Sequence, residues 1–272
     1  MEFVRNAAFP SVEEAVHLAQ DGNFDQMPVE PKDVRTGFRE FGEPVASVRG
    51  KMTNVKVKSS VRSDKELIEK RKNQVLVIDV VTILKQLFLV GLASPLELIL
   101  SYYLSDQKAA TLAQGIAAML ATLRSRAFNC LEILCDPQSG LVSLEYKFPG
   151  VTFDIAGAND HLPKLDIKIR RLKETCRCVK ADLVWQLPDF LVPSLVRYSN
   201  TRLNTRRTKG VNTNVCARVR FNGLKVNYRR EYGLAFGDYV EARNAKAKSN
   251  RVEDERSVPC IALYPAVNYA SS

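Results

Sequence analysis

The run Val75-Leu76-Val77-Ile78-Asp79-Val80-Val81 constrains this chain more than any other segment. It is aliphatic, mostly β-branched, and interrupted by a single carboxylate. Such a run fits a strand buried on both faces, inside a sheet that helices cover on either side. An unpaired carboxylate there costs on the order of several kcal/mol in lost hydration. Asp79 therefore pairs with a basic group, holds a cation, or bonds to a neighbouring backbone N–H.

The flanking patterns extend the sheet. Residues 87–104, LFLVGLASPLELILSYYL, are apolar enough to suggest a membrane span, but Pro95 and Glu97 interrupt them. Two short buried strands, Leu87–Val90 and Leu96–Tyr103, around a turn at 91–95 explain them better, and no membrane partner is expected. Over 108–126, Leu112, Ile116, Met119, Leu120 and Leu123 fall on one helical face. Leu131–Cys135 reads as a strand ending at Asp136-Pro137, and Ser139–Lys147 as a short helix. Val151, Phe153 and Ile155 alternate with polar residues as a strand with one covered face, ahead of a loop at Gly157–His161. Pro163 suits a helix's first turn, and that helix should run to about Lys180. Another helix is expected over Phe190–Leu203. The order β-β-β-α-β-(α)-β-α implies an α/β fold, a mixed five-stranded sheet flanked by helices.

This core is expected over residues 73–205. Residues 1–72 read as a helical prefix and basic linker: Ser11 caps VEEAVHLA, and PKDVRTGFREFG forms a second helix ending at Gly42. Residues 49–72 hold nine basic and three acidic residues, which suits an arm along a phosphate backbone or a solvated connector. Residues 206–272 read as a basic linker and a partial small β module, FGDYVEAR…PCIALYPAVN.

The charge balance narrows the partner. Lys+Arg number 40 against 30 Asp+Glu, a formal net charge of +10, which favours a polyanion. Residues 197–230 hold ten Lys/Arg and no acid. A solvated face usually mixes its signs, so Arg202, Arg206, Arg207, Lys209, Arg218 and Arg220 are expected to contact DNA. Six cysteines with no CxxC pair suit a reducing compartment, nuclear or cytoplasmic, and the acidic start is no secretory signal. His17 and His161 lie 144 residues apart, which excludes a compact two-His, two-Cys zinc module.

Two further acids join Asp79. Asp136 follows a strand, where open sheets present ligands, and Asp166 lies in the first turn of the helix after Pro163. Three carboxylates from two strands and a helix can converge on Mg²⁺ or Mn²⁺, the arrangement used for in-line phosphoryl displacement. Asp166, Arg170 and Lys173 are spaced i, i+4, i+7 and share a face. The pattern points to a metal-dependent nuclease or strand-transfer core. Taken singly, each residue also has a plain structural reading as a turn acid or a solvated helix charge.

The segments VLVIDVV, ILCDPQSG, AGANDHLPKLDIKIRRLKE and YSNTRLN, with the tail FGDYVEAR…PCIALYPAVN, resemble the integrase region of retroelement polyproteins, copia-like in character. The resemblance covers most of residues 45–268. It implies an RNase H-like integrase catalytic core in which Asp79, Asp136 and Asp166 are the catalytic, metal-binding acids. Arg170 and Lys173 match the cations that follow the third acid. It also implies element-end and target DNA as partners, and self-association into a homo-oligomer. The chain departs from the pattern in four ways. Its third acid is Asp rather than the usual Glu, and 29 residues lie between Asp136 and Asp166, fewer than in retroviral cores. The HHCC zinc module is absent, and the tail stops short of a full barrel. Two alternatives stand beside strand transfer. One is a non-catalytic nucleic-acid-binding relic or polyprotein fragment. The other is an RNase H-type nuclease with a fourth acid from Glu132, Asp154 or Asp160.

Overall fold

The computed structural model describes residues 3–4, 10–20, 29–44, 72–135, 141, 144–155, 163–206, 215–224, 226, 231–244 and 255–265. The chain divides into two compact units, Met1–Lys58 with Tyr239–Ile261, and Ser59–Asp238 with Ala262–Ser272.

In the first unit both expected prefix helices are present, α1 (Val12–Gln20) and α2 (Pro31–Phe41). Pro31 opens α2, and the Glu30 N–H donates to the Asp33 carboxylate at 3.1 Å. Gly42 ends the helix at φ 70, a conformation that costs glycine little. Ala15, Val16 and Val34 form a small core on which Phe38 packs.

The second unit is built on five strands: β1 (Asn73–Ile83), β2 (Gln86–Ser94), β3 (Leu98–Leu104), β4 (Asn129–Cys135) and β5 (Thr152–Ile155). Their order is β3-β2-β1-β4-β5. β1, the aliphatic run, is central; it pairs antiparallel with β2 and parallel with β4. β2 and β3 pair antiparallel, and β4 and β5 parallel. Among the described residues, four complete α-helices accompany the sheet: α3 (Ala109–Arg124), α4 (Pro163–Asp182), α5 (Val192–Asn204) and α6 (Ala217–Asn222). This is the mixed five-stranded sheet, flanked by helices, that the sequence implies.

Alternation along β1 divides the interior into two cores. Leu76 and Ile78 pack with Leu112, Ile116 and Leu120 of α3. Val81 and Ile83 pack with Leu165, Ile169 and Leu172 of α4 and with Leu195 and Val196 of α5. Each such buried side chain contributes about 1.5–3 kcal/mol.

One strand boundary differs from expectation. β2 runs through Gly91 to Ser94 instead of turning at Gly91. A Cβ on Gly91 would lie 2.9 Å from Met119 Sδ and 3.1 Å from Leu76 Cδ1. The glycine marks close approach of sheet and helix, not a turn. Between Ser139 and Lys147 the structure shows a 3-10 turn at Glu145–Lys147.

The outer edge of β3 is tied down by α5. Asn204 Oδ1 accepts from the Ile99 N–H at 2.9 Å, and Asn204 Nδ2 donates to the Ile99 carbonyl at 2.8 Å. One amide thereby stands in for a neighbouring strand. The two expected tail strands, β6 (Tyr239–Arg243) and β7 (Ser257–Ile261), pair antiparallel and belong to the first unit.

Candidate catalytic cleft

Asp79 shares the sheet face of Val77 and Val81, the side on which α4 packs. The described ladder between β1 and β4 ends at Ile78↔Cys135, so Asp79 is the first residue of β1 past it. It is half-buried rather than sealed in, which reduces the desolvation cost the sequence implies.

The α4 helix supplies the opposite wall. Leu165, Ile169, Leu172 and Cys176 repeat at i, i+4, i+7 and i+11 and are buried in the second core. One position further round, Asp166, Arg170, Lys173 and Arg177 repeat with the same spacing. Anchoring the first stripe on the sheet turns the second toward the space beside Asp79. The result is a cleft of about 380 Å³ lined by Asp79, Val81, Asp166, Ile169, Arg170, Lys173 and Arg177.

The cleft thus gathers four residues singled out from the sequence: Asp79, Asp166, Arg170 and Lys173. Asp136 follows Cys135 directly in the chain and lies outside the described residues. Arg177 escaped the sequence reading, although its i+11 spacing from Asp166 was the available signal. Arg170 also lies 3.8 Å from Glu174, an exposed i, i+4 pair worth about 0.3–0.5 kcal/mol.

The donor set fits a hard divalent cation. Both acids in the cleft offer carboxylate oxygens, and its lining contains no thiol or imidazole. Among the described residues, no group of three or more His, Cys, Asp or Glu side chains forms a metal site.

On the other flank of α4, Lys168 lies 3.8 Å from the buried Glu97 at the β2–β3 turn. Burial pushes the Lys168 ammonium below the ordinary lysine range. Glu97 pulls it back up, while Arg171 and Arg220 press it further down. This pair anchors the helix beneath the cleft and does not line it.

The basic tract is only partly a surface. Arg202, Arg218 and Arg220 are 8%, 3% and 7% exposed, which corrects their assignment to DNA contacts. Arg202 stacks on Tyr232 and Tyr198 and donates to the Leu234 carbonyl at 3.2 Å. Arg218 donates to both carboxylate oxygens of Glu231, at 3.3 and 3.4 Å. Arg220 donates to the Pro95 carbonyl at 3.4 Å. Their charges serve the protein's own oxygens. Arg206 is exposed, whereas Arg207, Lys209, Asp160 and residues 49–71 of the basic arm lie outside the described residues. No described helix is long and apolar enough to cross a membrane.

Among solved structures, the chain is similar to the catalytic core domain of BIV integrase. Identity is 15%, the TM-score 0.41, and the match covers 52% of this chain and 89% of that one. No protein-family model and no curated protein matches the sequence.

Proposed function

We propose that this chain is an integrase-type catalytic core that carries out metal-dependent DNA strand transfer. The observation that carries the reading is the cleft itself. A carboxylate from the central strand and one from α4 share it with cations on the same helix face. Asp79, Asp166 and, next to the end of β4, Asp136 would hold Mg²⁺ or Mn²⁺. When bound, such ions polarise phosphoryl oxygens and activate the attacking oxygen. Arg170 and Lys173 offset the negative charge of a phosphodiester approaching the two acids, and their fixed spacing on a helix orients its backbone. Val81 and Ile169 give the cleft an apolar wall.

The copia-like origin, element-end and target DNA as substrates, and self-association belong to the same reading. The nuclease alternative asks for a fourth acid. Of its candidates, Glu132 and Asp154 do not line the cleft, and Asp160 lies outside the described residues.

The test is DNA joining with Mg²⁺ or Mn²⁺, using short blunt duplexes as donor and supercoiled plasmid as target. Asp79→Asn and Asp166→Asn should each abolish joining and leave salt-sensitive DNA binding intact. Joining by Asp79→Asn at the wild-type rate removes the reading, and cleavage of RNA–DNA hybrids without joining favours the nuclease.

A further inference from the structure

Arg177 lines the cleft beside Arg170 and Lys173, and no part of the proposed chemistry at Asp79 and Asp166 requires it. Like charges at i, i+3 and i, i+4 destabilise a helix by about 0.2–0.5 kcal/mol per pair. Glu174, 3.8 Å from Arg170, relieves part of this. Three cations remain in one file along an open cleft. A file of like charges matches a ligand that carries the opposite charge along its length.

The spacing can be worked out. At about 1.5 Å rise per residue, Arg170, Lys173 and Arg177 lie about 6, 10.5 and 16.5 Å beyond Asp166 along the helix axis. One nucleic-acid strand presents a phosphate about every 3.4 Å of stacked rise. The distance from Asp166 to Arg177 then spans about five nucleotides. A guanidinium at the far end can take two phosphate oxygens at once.

Resting on the reading of this cleft as a nucleic-acid site, we infer that Arg177 forms a distal backbone subsite. The cleft then holds one strand along α4 for about five nucleotides on one side of the acids. A mononucleotide or dinucleotide can occupy either end but cannot bridge them.

The experiment measures binding of fluorescein-labelled oligothymidylates, two to ten nucleotides long, to the full chain in EDTA across a salt series. Arg177→Ala should leave dinucleotide affinity unchanged and weaken oligonucleotides of about five or more. On the longer probes its log–log salt slope should be shallower by about 0.7, the value for one single-strand phosphate contact. Arg177→Lys, which keeps the charge but not the two-pronged donor, should keep the wild-type salt slope and lose part of the length-dependent gain, a split that a purely structural role would not produce. If Arg170→Ala and Lys173→Ala weaken binding but Arg177→Ala does not at any length, the subsite is overturned and the nucleic-acid reading stands. If none of the three matters, both fall. Polyglutamate competing as well as oligothymidylate of equal charge also overturns the inference.

Discussion

Arg218→Ala separates two meanings of a basic residue. If Arg218 contacted DNA, its loss would lower affinity and leave stability alone. The structure places it 3% exposed, with its guanidinium on both oxygens of Glu231, whose side chain is 13% exposed. Truncation leaves that carboxylate largely dehydrated and without this cation. Removing one partner of a buried ion pair costs about 3–5 kcal/mol, against a total of about 5–15 kcal/mol for an ordinary domain. For a unit of this size each kcal/mol moves Tm by about 2–4 °C, so Arg218→Ala should melt about 6–20 °C below wild type. Replacing both partners with apolar residues, Arg218→Met with Glu231→Leu, should recover most of the loss, because the desolvation penalty leaves with the charges. Differential scanning calorimetry and DNA anisotropy on the same samples provide the test. Arg206→Ala, at an exposed position, is the control and should leave Tm unchanged. An Arg218→Ala protein that melts like wild type but binds DNA with a shallower salt slope would return Arg218 to the nucleic-acid surface and refute the argument.

Three further outcomes follow from local geometry. A Cβ on Gly115 would lie 3.0 Å from Leu89 Cδ2 and 3.1 Å from Tyr102 Cδ1, so Gly115→Val should lose about 1–3 kcal/mol by overpacking, read from urea midpoints. Asn204→Ala removes both partners of the Ile99 backbone described above and should cost about 1–3 kcal/mol per orphaned group. Asn204→Asp keeps an acceptor but sets a buried carboxylate against the Ile99 carbonyl, and should cost at least as much. In native thiol labelling with peptide mapping, exposed Cys178 should react first. Cys130 and Cys176 should lag, because burial raises both thiols and suppresses the thiolate; equal rates for Cys176 and Cys178 would contradict this.

The sequence revealed what local pattern controls. β1 was legible because an unbroken aliphatic run has few other places to go, and α4 because its apolar stripe repeats cleanly. The two charged cleft residues after Asp166 followed from the same helical arithmetic. Gly91 reads as a turn because a glycine signal cannot tell a turn from close approach, and Met119, the helix residue that presses on it, comes 28 residues later. The basic tract was misread for a comparable reason. Its neutralising acid, Glu231, lies one residue beyond the 197–230 window, and Tyr198 and Tyr232 meet Arg202 only through tertiary packing. Charge counted along a sequence does not report which guanidinium groups the fold turns inward.

The position of Asp79 answers the difficulty with which the sequence began, a carboxylate inside an aliphatic strand. β1 has a strand on each side. Up to Ile78 it is paired on both sides, by Gly91 of β2 and Cys135 of β4; Asp79 retains its pairing with Val90 on β2 past the end of the described β4 ladder. Carboxyl ends of parallel strands are where open α/β sheets present ligands. The aliphatic residues before Asp79 fix the strand in the centre of the sheet, while its own side chain lies half-buried in the lining of a cleft. Asp79 thus sits on a strand held in the centre of the sheet, with its carboxylate on the face that α4 leaves open as a cleft. There it meets Asp166 and the cations of α4, without which two carboxylates sharing one space would repel each other.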